Sequence, residues 1–210
     1  LYGSLEIFGR GNHELPLPKI STVFMTELIE FDTGRLRLRQ WIESDREPFA
    51  RLCSDPRVME FYPNILDRTA SNAMVDRLEA LISDRGWGLW AVELKAEQQF
   101  IGYVGLHVPK YDLPCSPCVE IGWRLALPYW GKGYATEAAR SVLTVGFDRL
   151  NLPAIVSFTA TINRRSRAVM ERLGMDLDAE TFEHPLIPAG HILREHVLYR
   201  LAREKWQSDR

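Results

Sequence analysis

The sequence predicts a mixed α/β fold in a single domain rather than a doubly wound parallel sheet. Three observations carry that expectation. RLRLRQW, from Arg35, alternates with a period of two. Residues 69–84 and 134–150 show helical spacing. The elements run strand, two helices, three strands, helix, strand, helix, strand, so strands cluster mid-chain instead of alternating strictly with helices.

Each element follows from local chemistry. Leu36 and Leu38 alternate with Arg35, Arg37 and Arg39, as in a half-buried strand. Ser44 precedes Glu47 by three residues, a capping-box spacing for a short helix over 45–54, where Pro48 is tolerated early. Asp55-Pro56 and Tyr62-Pro63 bound a loop around Phe61 and Tyr62. Met74, Leu78, Leu81 and Ile82 share one face of a helix over 69–84. GLWAVEL (88–94) and FIGYVGL (100–106) flank a five-residue hairpin connection. The loop 107–118 leads to a strand at 119–125, and a helix over 134–150 ends at Asn151-Leu152-Pro153. A β-rich run covers 154–161. Asn163 caps the helix RRSRAVMERL, and Gly174 stops it. A loop at 176–190 precedes a last strand near 193–201.

Composition narrows the class. The 210 residues are 46% hydrophobic and 26% charged, which excludes wholesale disorder. A chain this long buries roughly 70% of its extended surface and needs no staples. With 26 basic and 28 acidic residues the net charge is −2, so no global field draws nucleic acid or an anionic membrane. No apolar run reaches the ~18 residues of a membrane span. Three cysteines do not make a secreted disulfide framework, and a cytoplasmic protein is expected. Residues 1–24 show neither period and lack the signature of a signal peptide; Met25 then opens ordinary protein sequence. Residues 1–24 are therefore expected to be a tag or non-native leader, the alternative being a flexible arm, with one domain over 25–205.

The segment VEIGWRLALPYWGKGYATEA carries the chemistry. A strand enters a loop with Gly131 and Gly133 and passes straight into a helix. Outward amides and the positive end of a helix dipole make a cradle for phosphate or pyrophosphate. The alternative is a tight turn without a ligand. Lys132 is followed by Gly133, with no Ser/Thr for magnesium, so the P-loop pattern fails. Thr136 stands where the dinucleotide fingerprint needs its third glycine.

EIGWRLALPYWGKGYATEA, followed by NRRSRAVMERLGM, resembles the GNAT superfamily of acetyl-CoA-dependent N-acetyltransferases. TGRLRLRQWIESD and GLWAVE resemble its ribosomal-protein N-terminal acetyltransferase-like branch. The resemblance covers roughly residues 30–201, with Pro128 where many members carry Gln or Arg. It implies a mostly antiparallel sheet, splayed between the strands at 119–125 and 154–161 and flanked by helices. It implies acetyl-CoA as co-substrate, no metal, an amine acceptor as partner (a protein N-terminus or a small amine), and homodimers as a common family arrangement.

Residue by residue, the resemblance implies that Trp130, Gly131, Lys132, Gly133, Tyr134 and Ala135 offer backbone amides to the coenzyme pyrophosphate. Ile121, Gly122, Trp123, Arg124 and Leu125 form the strand that pairs with the pantetheine arm. Asn163 reaches the pantetheine or simply caps its helix; Ser166 lies near the thioester sulfur or is an exposed serine. Arg164, Arg165 and Arg167 meet the 3′-phosphate or form a solvated face. Glu120 is the candidate general base, its alternative an exposed strand-end carboxylate, and Glu137 reads as a helix-dipole residue. An α-amine, with a reference pKa of about 8 against about 10.4 for lysine, is the easier nucleophile. Phe61, Tyr62, Trp87, Trp90 and Trp123 are the candidates for the acceptor pocket, with Asp176, Asp178, Glu180 and Glu183 as an acidic rim. CSPC (Cys115, Cys118) supplies two of the four ligands that a structural zinc needs, so an ordinary loop is expected. His184, His191 and His196 receive no role.

Overall fold

The arginine–leucine alternation near the front becomes strand β2 (Leu36–Arg39) in the computed structural model, which describes residues 27–208. The expectation for residues 1–24 lies outside the described residues. Leu36 and Leu38 are fully buried, as the alternation requires. Arg39 departs from it: its guanidinium is buried, 2.7 Å from Asp45 and 2.8 Å from Glu93. A short strand β1 (Phe31–Asp32) precedes β2, and helix α1 (Arg46–Ser54) follows it. The capping contact falls on Asp45, not Glu47: the Ile42 N–H donates to the Asp45 carboxylate at 3.0 Å, while Glu47 pairs with Arg51 and Arg68.

Helix α2 (Arg68–Arg85) starts at Asp67, whose carboxylate accepts from the Ala70 N–H, and stops at Gly86 with φ 79°. The hairpin is β3 (Leu89–Leu94) with β4 (Gln99–His107), and β5 (Glu120–Leu125) pairs antiparallel with β4. The expected helix over 134–150 is α3 (Tyr134–Thr144) followed by one wider turn (Val145–Arg149). There Gly146 lies so close to the sheet that a Cβ would sit 2.6 Å from Ile155. Strand β6 (Ala154–Ala160) and helix α4 (Arg164–Arg172) match expectation, with Gly174 at φ 77° just past the helix. The loop expected at 176–190 holds two short strands, β7 (Asp176–Leu177) and β8 (Phe182–Glu183), before β9 (Glu195–Ala202) and an unforeseen helix α5 (Arg203–Ser208).

Among the described residues nine strands form one sheet in the order β1-β2-β3-β4-β5-β6-β9-β7, with β8 also on β9, and neighbouring strands pair antiparallel except β5 with β6. Helix α1 covers one face, where Trp41, Phe49, Phe100 and Tyr103 pack at ring-centroid distances of 5.0 to 6.4 Å. Helix α3 and its wide turn cover the other face, against Leu106 and Ile155. The parallel pair sets the site. It registers only at Glu120↔Val156, where the Val156 N–H donates to the Val119 carbonyl at 2.9 Å; beyond that point the strands part into a fork.

Candidate active site

The fork opens into a cleft of about 1290 Å³. Its lining brings together residues far apart in the sequence, among them Phe61, Tyr62, Glu120, Trp123, Gly131, Asn163 and Ser166.

Strand alternation divides β5. The Val119 carbonyl faces β6 and the Ala126 N–H faces β4, donating to Ile101 at 2.9 Å. Odd-numbered residues of β5 therefore turn their backbone groups to the fork, and even-numbered ones spend theirs on β4. The Leu125 carbonyl already accepts from the Trp130 indole at 2.7 Å. Past the single bridge, the fork is thus lined by the Trp123 N–H and carbonyl and the Leu125 N–H, and on β6 by the backbone of Phe158. This corrects the expectation for Gly122 and Arg124, whose backbones belong to the β4–β5 ladder.

The glycine loop leaves β5 through a 3₁₀ turn, Leu127–Tyr129, in which Pro128 supplies a preset φ. Gly131 and Gly133 have φ of 73° and 81°, values that disfavour any Cβ. A Cβ at Gly131 would have open space around it, so backbone conformation, not close approach, demands that glycine. The Trp130 N–H is spent on the Leu127 carbonyl at 3.1 Å, which removes it from the expected amide set. The first helical bond of α3 runs from the Glu137 N–H to the Gly133 carbonyl, and no side chain caps Gly133. Among the described residues, the amides of 131–136 are left with no acceptor. That array, at the positive end of α3, is what an anionic phosphate group fits.

One residue from the far side of the sheet holds the loop. Arg35 donates to the Lys132 carbonyl at 3.0 Å and to Glu137 at 2.7 Å, and its guanidinium lies 4.4 Å from the Tyr134 ring centroid. The Thr33 hydroxyl donates to the same carboxylate at 2.5 Å. Partial burial works to raise the Glu137 pKa, but these donors hold it below the usual carboxylate range. Strand alternation marks Arg35 only as a polar-face residue, because its partner stands 102 residues away. Arg140 and Arg172 also line the cleft unforeseen.

Glu120 is not an exposed strand end; it is 1% exposed, with Oε2 3.1 Å from His107 Nε2 directly across the β4–β5 ladder. Burial raises the pKa of this carboxyl and the His107 imidazole lowers it. Ser166 lies in the first turn of α4, facing the cleft. Asn163 caps that helix, accepting from the Ser166 N–H at 3.2 Å and donating to Thr159 at 2.9 Å, so both ends of its side chain are engaged. Arg164 and Arg165 line the cleft. Arg165 also pairs with Glu60 and lies 4.8 Å from the Trp130 ring centroid. Arg167 turns away to the Thr161 carbonyl and Tyr199.

The aromatic candidates divide. Phe61, Tyr62 and Trp123 line the cleft. Trp87 lies elsewhere, beside Met74 and Leu78. Trp90 is core, its indole donating to the Ile29 carbonyl at 2.7 Å. The acidic rim does not form. Asp176 pairs with Lys205, Asp178 with Arg200 and Glu183 with Arg194, and none of these or Glu180 lines the cleft. The two cysteines lie outside the cleft, their sulfurs 2.8 Å apart.

Comparison with known proteins gives the geometry its family. A model described as "Acetyltransferase (GNAT) domain" matches residues 35–176, which span the site from Arg35 through α4. The FsC-acetyl coenzyme A-N(2)-transacetylase of Aspergillus fumigatus is 32% identical over 181 residues, covering 83% of this chain and 76% of that protein. The crystal structure of a GNAT-family acetyltransferase from Bacillus anthracis aligns with a TM-score of 0.70 at 27% identity, covering 84% of this chain and 99% of that one. RimL, a ribosomal L7/L12 α-N-protein acetyltransferase solved in complex with coenzyme A, shares the fold at 16% identity, with a TM-score of 0.66 and 82% and 97% of the two chains covered. A forked mixed sheet, an uncapped glycine loop at its mouth and a matching family model over most of the chain lead to one conclusion: this protein belongs to the GNAT acetyltransferases.

Proposed function

We propose that the cleft moves an acetyl group from acetyl-CoA to a primary amine, with the α-amine of a peptide or protein as acceptor. The observation that carries this reading is the run of uncapped amides at 131–136 beside the open fork. The Aspergillus relative, named for transfer from acetyl coenzyme A to a nitrogen, supports the same donor.

Bound acetyl-CoA supplies an activated acetyl thioester. The chain's own residues do the rest. Amides of Gly131, Lys132, Gly133, Tyr134 and Ala135 hold the pyrophosphate, with Arg35 keeping the loop in shape. The Trp123 and Phe158 backbones pair with the pantetheine arm in the fork, and an N–H there stabilises charge developing on the carbonyl oxygen. Glu120 takes the proton as the amine nitrogen bonds to the carbonyl carbon. The carbon–sulfur bond breaks, and the Ser166 hydroxyl donates a hydrogen bond to the leaving sulfur, which acquires its proton from solvent. Phe61, Tyr62 and Trp123 wall the acceptor side.

Calorimetric titration with acetyl-CoA, followed by thiol release with a panel of peptides and amines, tests the proposal. Binding with acceptor-dependent thiol release is expected. Absence of binding would remove the reading. Binding without release for every amine would leave a coenzyme-binding module instead.

A further inference from the structure

Among the described residues two arginines are buried in the sheet, and the chain treats them differently. Arg39, 7% exposed, is neutralised by Asp45 and Glu93. Arg124, 3% exposed, has no such partner. Its Nη1 donates to the Cys53 sulfur at 3.3 Å and the Tyr62 side chain is a second hydrogen-bonding neighbour, while Nε and Nη2 are buried with no acceptor of good geometry. No carboxylate of the described residues reaches it. The guanidinium instead lies 4.0 Å from the Tyr62 ring centroid and 5.3 Å from that of Tyr103. Ring faces attract a cation but leave its in-plane N–H groups unsatisfied. Burial pushes the Cys53 thiol up, against the pull of Arg124, so the sulfur stays a neutral, weak acceptor. A buried cation held by two tyrosines and a thiol, with no carboxylate beside it and two N–H donors still unmet, calls for an anion.

The placement says which ligand brings it. Arg124 lines the cleft on the acceptor side, beside Val58, Phe61 and Tyr62. It shares a face of β5 with Glu120, four residues and so ~13 Å away between Cα atoms. Gly122 stands between them on that face and also lines the cleft, so the floor from carboxylate to guanidinium is bare backbone. We propose that Arg124 binds a carboxylate of the acceptor, so that the acceptor carries its amine toward Glu120 at one end and an anionic group at the other. This rests on the acetyltransferase reading above and adds the acceptor's chemical class. Two sources can provide that chemistry: a free amino acid with separated amine and carboxylate, or an acidic side chain near a peptide N-terminus.

Matched pairs test it. Wild-type kcat/KM is measured for 6-aminohexanoate against 6-aminohexanamide, and for C-terminally amidated Ala-Ala-Asp against Ala-Ala-Asn. At least tenfold preference for the carboxylate in one pair is expected, and the preferring pair identifies the source. Arg124→Gln abolishes that preference. The ¹⁵N–¹H signal of Arg124 Nε, one of the unsatisfied donors, is expected to shift on titration with the preferred carboxylate and not with its amide. Equal kcat/KM within both pairs, or an unmoved Nε signal, overturns the proposal whether or not Arg124→Gln folds. Such a result leaves the acetyltransferase reading standing if acetyl-CoA still binds and another amine still releases thiol.

Discussion

Glu120 sits where two opposed influences meet: burial, which favours its neutral form, and His107, which favours its charged form. Replacing it with Gln should lower kcat by about 10²–10⁴-fold, the worth of a general base, with the acetyl-CoA Kd unchanged. Steady-state kinetics beside calorimetry checks this. His107→Gln removes an influence that lowers the Glu120 pKa and leaves the burial that raises it. The acid limb of kcat/KM should therefore move to higher pH, read from a pH–rate profile. The sequence showed Glu120 opening a strand beside the glycine loop. It could not show the burial, because His107 comes from a separate strand and meets it only through the register of β4 with β5. Arg124 reads in the sequence as part of the coenzyme strand, and its burial without a carboxylate was invisible for a similar reason. Its surroundings come from α1 and the loop that follows, and a single strand's pattern carries no record of which charges stay unpaired.

The glycine loop and the start of α3 act as one unit strapped to β2. Gly133 holds a left-handed conformation, so Gly133→Ala should cost roughly 1–2 kcal/mol of stability and weaken acetyl-CoA binding as the amides shift. Thermal denaturation and calorimetry measure the two effects. Arg35 is half-exposed, and its network is worth about 1 kcal/mol; Arg35→Ala should raise the acetyl-CoA Kd roughly fivefold and spare kcat. Elements such as α1, α2, α4 and the β3–β4 hairpin were legible from spacing, caps and turn residues. The two-residue strands β1, β7 and β8 were not, since so short a run has no period to detect. Helix α5 is a single short amphipathic stretch anchored by Trp206 against Phe147, a contact between distant parts of the chain.

Across the whole molecule, the last sheet partners bury two histidines together. His184 and His196 are fully buried, with ring centroids 4.8 Å apart. Burial, then the neighbouring imidazole, pushes His184 down to about 2; burial pushes His196 down to about 4. Each is neutral in the folded protein and binds a proton on unfolding below about pH 6.5. Between pH 6.5 and their folded values the unfolded state holds more protons, so stability falls as pH falls. A loss on the order of 2 kcal/mol or more between pH 7 and pH 5 is expected in denaturant titrations, reduced by replacing His196 with Phe. The sheet's margins have a consequence of their own. Among the described residues one flank ends in β1, and the other is broken into β7 and β8, with the Asp178 N–H closing the Leu198 carbonyl between them. Neither flank presents a long unpaired ladder to a second molecule, so concentrated solutions should resist strand-by-strand polymerisation and fibril seeding.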